Sequence, residues 1–225
     1  MCYKQKKRKK ELSFLLIKQA LLYILFLSAL TVAFASPGHM QEKWVPDYNN
    51  RDSWQQPEKI MDAIGVKRGM IIADVGAGKG YFTFKLAKRV GPEGKVYATD
   101  IDESQLKTIR DRMQRDGIKN IVTILSKADD PGLPRDQIDI VLMVHVFHLV
   151  IHDQNPFSLL EKIRPSLKPN GLLVLVQWDG KKMGYPDVHA YSEESVLEVI
   201  ENSCFELVRI ETFLPRDNIY VLRAK

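Results

Sequence analysis

Cysteine is almost absent from this 225-residue sequence. Only Cys2 and Cys204 occur, which excludes the disulfide framework that many small exported domains rely on. Cys204 falls in the amphipathic stretch ESVLEVIENSC, where a small buried thiol is expected rather than a nucleophile. Long apolar runs are equally scarce. The one that stands out is ALLYILFLSALTVAFA at residues 20–35, after a start in which Lys4, Lys6, Lys7, Arg8, Lys9, Lys10 and Lys18 face a single acid, Glu11. A cationic start, an apolar run and small residues at Ala33 and Ala35 have the form of an export signal. Cleavage after Ala35 is therefore expected; left uncleaved, the same stretch is a membrane anchor at the short limit of a span of roughly 17–25 residues. Either way the cationic cluster stays in the cytoplasm and the remainder is exported, to the periplasm or the medium.

The exported part also lacks a cationic surplus. The formal charge of +5 is owed to the first 18 residues, and from Ser36 onward 26 basic residues (33 less 7) meet 27 acidic ones (28 less 1). Nothing there offers the concentrated positive face that a nucleic-acid backbone requires. With 45% hydrophobic and 27% charged residues the chain is neither disordered nor fibrous and fits one ordinary domain. Residues 36–52 are polar, punctuated by Pro and Gly and without period, so they read as an arm or linker whose Trp44 and Tyr48 are available to dock. No internal repeat or low-complexity segment follows, and residues 53–225 read as a single domain.

That domain alternates between two periodicities. SWQQPEKIMDAIG predicts a helix with Pro57 in its first turn and Ile60, Met61 and Ile64 on one face. MIIADV predicts a strand covered on both faces. YFTFKLAKRV is helical in spacing, KVYATD is a second strand, and Asp102 with Gln105 predicts a capping pair for the helix that carries Leu106, Ile109 and Met113. IVTIL and IDIVLMV are the third and fourth strands, Asn155–Pro156 opens the helix bearing Phe157, Leu160 and Ile163, and GLLVLVQW is the fifth strand. A helix over about 193–203 leads into FELVRIETF and NIYVLRA, two strands joined by the short turn LPRD. A connection that short closes only an antiparallel pair, because a parallel crossover takes a dozen residues or more. The whole is an α/β fold, a mostly parallel sheet with one reversed strand.

In such sheets ligands bind beyond the carboxyl ends of the strands. There the first strand runs into Asp74-Val75-Gly76-Ala77-Gly78-Lys79-Gly80, whose glycines permit positive φ and close approach of a ligand to backbone. Twenty residues on, the second strand ends at Asp100, a carboxylate able to accept two ribose hydroxyls. The pair marks a nucleoside-type cofactor. A dinucleotide site would put glycine where Tyr81 stands, which argues against a nicotinamide oxidoreductase. A phosphate-cradling loop would put Ser or Thr after Lys79, where Gly80 stands.

These residues resemble a known family. IIADVGAGKGYFTFKLAKRVGPEGKVYATDID is similar to the signature of class I S-adenosylmethionine-dependent methyltransferases, and ADDPGLP, IDIVLMVHVFH and LEKIRPSLKPNGLLVLVQWD resemble its later strand-end motifs. RDSWQQP and LPRDNIYVL resemble a bacterial, often exported, subgroup. The resemblance implies a Rossmann-like seven-stranded sheet with an antiparallel last strand and helices on both faces, with S-adenosyl-L-methionine as cofactor. By it, Asp74 and the turn Gly76, Ala77, Gly78 and Gly80 hold the amino-acid end of the cofactor, Asp100 the ribose, Ile101 the adenine face, and Asp129 or Asp130 the adenine amino group. The chain departs from the family pattern at Ser126-Lys127-Ala128, where many relatives have Gly-Asp-Ala, and at Asn170, where LKPGG is commoner; Asn tolerates the left-handed turn expected there.

His145 and His148 close the fourth strand, where this family places the reacting group, and either is a candidate base toward an acceptor, expected to be a small molecule. With His152 and Asp153 they lack a recognisable zinc spacing, so no metal site is expected. Trp178, Asp179, Tyr191 and Trp44 are candidate pocket walls, and Lys181 and Lys182 read as solvated turn residues. The alternative to a methyltransferase is an exported methyltransferase-like binding protein without turnover. Intact mass of the exported protein is expected to match a chain beginning at Ser36, whereas a mass beginning at Met1 establishes the anchor.

Overall fold

The computed structural model describes residues 50–151, 157–185, 188 and 192–225. The expected signal, Trp44, Tyr48, His152, Asp153, the Asn155–Pro156 cap and Tyr191 lie outside the described residues. Among the described residues no helix is long and apolar enough to cross a membrane.

Seven strands form one sheet: β1 (Ile71–Val75), β2 (Lys95–Asp100), β3 (Ile121–Leu125), β4 (Ile138–Val144), β5 (Leu167–Trp178), β6 (Phe205–Glu211) and β7 (Asp217–Ala224). Their spatial order is β3-β2-β1-β4-β5-β7-β6. The pairs from β3 across to β5 are parallel, and β7 runs antiparallel to both β5 and β6, so the sheet has one reversed strand, as the short final turn requires.

Strand periodicity assigns the core to two layers. On β4, β5 and β7 the residues Ile140, Leu142, Val174, Val176, Ile219 and Val221 point to one face, and their neighbours Val141, Met143, Leu173, Leu175, Tyr220 and Leu222 to the other. The first face is covered by α2 (Pro57–Ala63), α3 (Tyr81–Val90) and α4 (Glu103–Asp116), through Ile60, Met61, Phe82, Leu86, Val90, Leu106 and Ile109. The second is covered by α5 (Phe147–Ile151), α6 (Phe157–Ile163) and α8 (Glu193–Glu201), through Phe147, Leu159, Leu160, Ile163, Val196, Val199 and Ile200. Apolar runs without polar alternation are what a sheet buried on both sides demands.

Three local expectations are corrected. The helix expected over SWQQPEKIMDAIG is two, α1 (Arg51–Gln55) and α2, broken at Gln56, whose backbone is left-handed at φ 47°. Pro57 occupies the first position of the second helix, and its ring disfavours the right-handed helical conformation at the residue before it. The capping pair also differs: the Asp102 side chain accepts from the Ser104 amide at 2.8 Å, but its own N–H donates to Asp100 at 2.9 Å, and Gln105 reaches only the Asp102 carboxylate. Asn170 is not left-handed. LKPNG begins β5 as an irregular stretch, with Leu167 beside Ile138 and Leu172 beside Ile140, and Gly171 is needed there because a Cβ would lie 2.8 Å from the Ile138 carbonyl.

Between β3 and β4 the described chain has no helix. Order reverses at the β1–β4 boundary, and a cleft opens beyond the carboxyl ends at such a switch point. α7 (Gly180–Met183) follows β5 directly. Gln56 in the left-handed region costs about 1–2 kcal/mol, against roughly 0.5–1 kcal/mol of added chain entropy for glycine. Gln56→Gly is therefore expected to stabilise the domain by about 0.5–1 kcal/mol in urea unfolding.

Candidate functional site

The turn after β1 is built by backbone. The amides of Gly76 and Ala77 both donate to the Thr99 carbonyl, at 2.9 and 3.0 Å, and Gly80 N–H closes on the Ala77 carbonyl at 2.9 Å. Gly76 has φ 75°, and a Cβ on it would lie 2.2 Å from Val146 Cγ2. Gly78 also has positive φ, but open space surrounds the place of its missing Cβ; its amide donates to Asp100 Oδ2 at 2.8 Å. Asp100 is thus gripped by two backbone amides, Gly78 on one oxygen and Asp102 on the other. A carboxylate offers about four lone-pair positions, so both oxygens keep capacity for further donors.

Asp74 closes β1 below this turn. It is 3% exposed and accepts from Thr83 Oγ1 at 2.6 Å. Burial pushes its pKa up to about 6, with the Thr83 hydrogen bond and the positive charge of Arg51 opposing and the Asp100 charge adding to the rise. Arg51 lies 3.8 Å over the Tyr81 ring and its Nε donates to Gln55 Oε1. This cation beside the glycine turn was not marked in the sequence, because α1 reaches the turn only through the fold.

A cleft of about 420 Å³ lies beside the turn, lined by Gly76, Asp100, Ile101, Ser126, Lys127, Ala128, Pro131, His145, Val146 and Leu149 among others. It unites the ends of β1, β2, β3 and β4. Ile101 is 66% and Leu149 64% exposed, an apolar pair at the cleft suited to a planar ligand. Asp129 and Asp130 are not among its lining residues. Asp129 is exposed, and the Asp130 carboxylate accepts from the Gly132 amide at 2.9 Å, shaping the turn. The stretch that departs from the family pattern, Ser126 to Ala128, occupies that wall.

The histidines differ in their surroundings. His145 has φ 56°, an uncommon conformation for a residue with a side chain, and its amide donates to Val176 O at 2.9 Å. Its Nε2 lies 2.9 Å from Asp217 Oδ1, its ring is parallel to Trp54 at 6.2 Å and tilted against Trp178 at 4.4 Å. His148 packs 4.9 Å from the same Trp178 ring and does not line the cleft. Trp54 carries the Arg216 guanidinium over its face at 5.0 Å. Asp217, fully buried, went unmarked in the sequence because nothing local distinguishes it from any turn aspartate.

Asp179 is an N-cap, accepting from the amides of Lys181 and Lys182 and from Asn218 Nδ2. Lys182 is not a solvated turn residue: its Nζ donates to the carbonyls of Thr212, Leu214 and Asp217 at 2.7 to 2.9 Å. Burial lowers its pKa, while Asp179, Asp217 and Glu193 pull it back up. Cys204 is half-buried, and desolvation raises its thiol pKa, which leaves it a poor nucleophile.

A glycine turn on an open α/β sheet, facing an acid at the end of the next strand and a shared cleft, defines a nucleoside-cofactor domain. The comparisons narrow this. Residues 72–171 match the family model described as a methyltransferase domain. A S-adenosylmethionine-dependent methyltransferase from Aquifex aeolicus superposes with a TM-score of 0.69 at 27% identity, over 83% of this chain and 97% of that one. The ubiquinone/menaquinone biosynthesis C-methyltransferase of Burkholderia cenocepacia is 31% identical over 130 residues, 56% of this chain and 51% of that protein. The chain thus spans about half the length of that curated relative. Geranyl diphosphate C-methyltransferase from Streptomyces coelicolor shares the fold, with a TM-score of 0.57 at 13% identity over 76% of each chain. Over residues 72–171 the chain matches a methyltransferase domain, and its fold and glycine turn are similar to those of class I S-adenosylmethionine-dependent methyltransferases. S-adenosylmethionine is the cofactor of that family, and the open backbone at Gly78 and the unused lone pairs of Asp100 fit it.

Asp74 makes stability depend on pH. Its pKa is higher in the folded state, about 6, than the roughly 3.9 of an unfolded aspartate, so the fold favours its protonated form. Stability from this group is present below about pH 4 and is lost as pH rises toward about 6, by about 3 kcal/mol. In urea unfolding, the stability of Asp74→Asn relative to the wild type is expected to rise by about that amount between pH 4 and pH 7.

Proposed function

We propose that this protein transfers a methyl group from S-adenosylmethionine to a small acceptor that binds beyond the end of β4. The observation that carries the reading is that one cleft is lined both by the glycine turn with Asp100 and by His145. When bound, S-adenosylmethionine supplies a methyl on a sulfonium that leaves as a neutral thioether, so the acceptor's electron pair forms the new bond and only the acceptor's proton is left for the protein. Asp100 holds the ribose, Ile101 covers the adenine, and the turn from Gly76 to Gly80 with Asp74 takes the amino-acid end. A histidine closing β4 takes the proton. The protein's share is then proximity, orientation and a positioned base, since the electrophile arrives already activated.

Relatives named as C-methyltransferases support carbon as the methylated atom. The near-neutral charge from Ser36 onward supports a small-molecule acceptor and no nucleic acid. The cationic start and apolar run of residues 4–35 support an exported domain, held at the membrane where that run is retained.

Isothermal calorimetry tests the site. Micromolar binding of S-adenosylmethionine and S-adenosylhomocysteine is expected. Hydrogen bonds to a charged group contribute about 1.5–3 kcal/mol each, so losing two in Asp100→Ala should weaken binding by about 100-fold or more. Unchanged affinity, or a preference for NAD, overturns the reading.

A further inference from the structure

The reaction so far leaves two histidines as candidates and gives Asp217 no part. Asp217 opens β7, its side chain is fully buried, and its Oδ1 is 2.9 Å from His145 Nε2. Its second oxygen, Oδ2, is buried and has no hydrogen-bond partner among the described residues. A carboxylate withdrawn from water with half its acceptor capacity unused is costly, and a fold carries such a group where it serves a neighbour. The Lys182 ammonium is bonded to the Asp217 carbonyl rather than to its carboxylate, and the carboxylate's described polar contact is the imidazole of His145.

His145 itself is held from three further directions. Its backbone sits in the left-handed region at φ 56°, a strained conformation of the kind that clusters at functional sites. Its ring packs against Trp54, from α1, and Trp178, from the end of β5. Its amide is tied to Val176. Backbone, two indoles and a carboxylate therefore fix the ring in a single orientation, while the residue also lines the cofactor cleft. An ionised carboxylate only accepts hydrogen bonds, so Nε2 must carry the ring proton, and the remaining nitrogen, Nδ1, bears the lone pair. Among the described residues Nδ1 has no hydrogen-bond partner. His148 packs on Trp178 and does not line the cleft.

We propose that Asp217 is the positioning residue of the methyl-transfer site: it holds His145 as the Nε2–H tautomer, so that Nδ1 takes the proton of an acceptor that must lose one, a phenol-type hydroxyl or a carbon acid activated by it. The proposal rests on the methyltransferase reading above. The acceptor's proton moves to Nδ1, the resulting imidazolium is balanced by the Asp217 carboxylate, and the proton leaves to solvent after product departs. An amine acceptor with its own lone pair would not need this dyad. Asp217 does not line the cleft and acts through the imidazole, as the buried aspartate of a serine-protease triad does.

Nitrogen NMR of the full chain in detergent, labelled at histidine and saturated with S-adenosylhomocysteine, tests this. His145 is assigned by its loss in His145→Gln. The wild type is expected to show a protonated Nε2 and an unprotonated Nδ1. In Asp217→Asn the new amide can donate to Nε2, so the proton is expected to move to Nδ1, with S-adenosylhomocysteine affinity unchanged within about twofold. A wild-type His145 protonated on Nδ1, or a tautomer that Asp217→Asn leaves untouched, overturns the dyad while leaving the methyltransferase reading in place. Absence of S-adenosylhomocysteine binding overturns that reading, and the dyad's role with it. If Asp217→Asn does not fold, the wild-type tautomer alone decides.

Discussion

The hydrogen bond from the Gly78 amide to the Asp100 carboxylate is the contact on which the cofactor end of this domain depends. It ties the turn after β1 to the last residue of β2, while two amides of the same turn grip the Thr99 carbonyl one residue earlier. The turn is therefore held from the neighbouring strand, and its open side is left for a ligand. Because Asp100 also receives the Asp102 amide, one carboxylate sets the glycine turn and the start of α4 together.

A second carboxylate plays the opposite part. Asp100 is partly exposed and well supplied with donors, whereas Asp74 is buried and bonded to one hydroxyl. The price is a fold that tolerates its charge poorly at neutral pH. Strain at functional positions of this kind is compensated by the rest of the fold, here by two apolar layers that bury the sheet on both faces.

The meeting of the glycine turn and Asp100 was legible because its signal is local. Asp74, the alternate glycines and Asp100 lie within 27 residues of sequence, and each residue type answers to a backbone or ligand demand that spacing exposes. His145 and His148 could be placed after β4, but the carboxylate that meets His145 is Asp217, 72 residues away in sequence. The break at Gln56 and the carbonyl-bound ammonium of Lys182 were likewise misread, since both depend on what packs beside them.

Hydrophobic periodicity and turn chemistry by themselves determined the α/β class, the reversed final strand, the glycine turn and the acid that faces it, because these follow from constraints between residues near in sequence. Tertiary structure decided that His145 meets a buried carboxylate, that Ser126 to Ala128 rather than Asp129 and Asp130 line the cleft, and that Arg51 stands beside the glycine turn. Those are contacts between elements far apart in the chain. Their partners are chosen by the strand order β3-β2-β1-β4-β5-β7-β6, which brings β7 beside β5 and so places Asp217 within reach of the residue that follows β4.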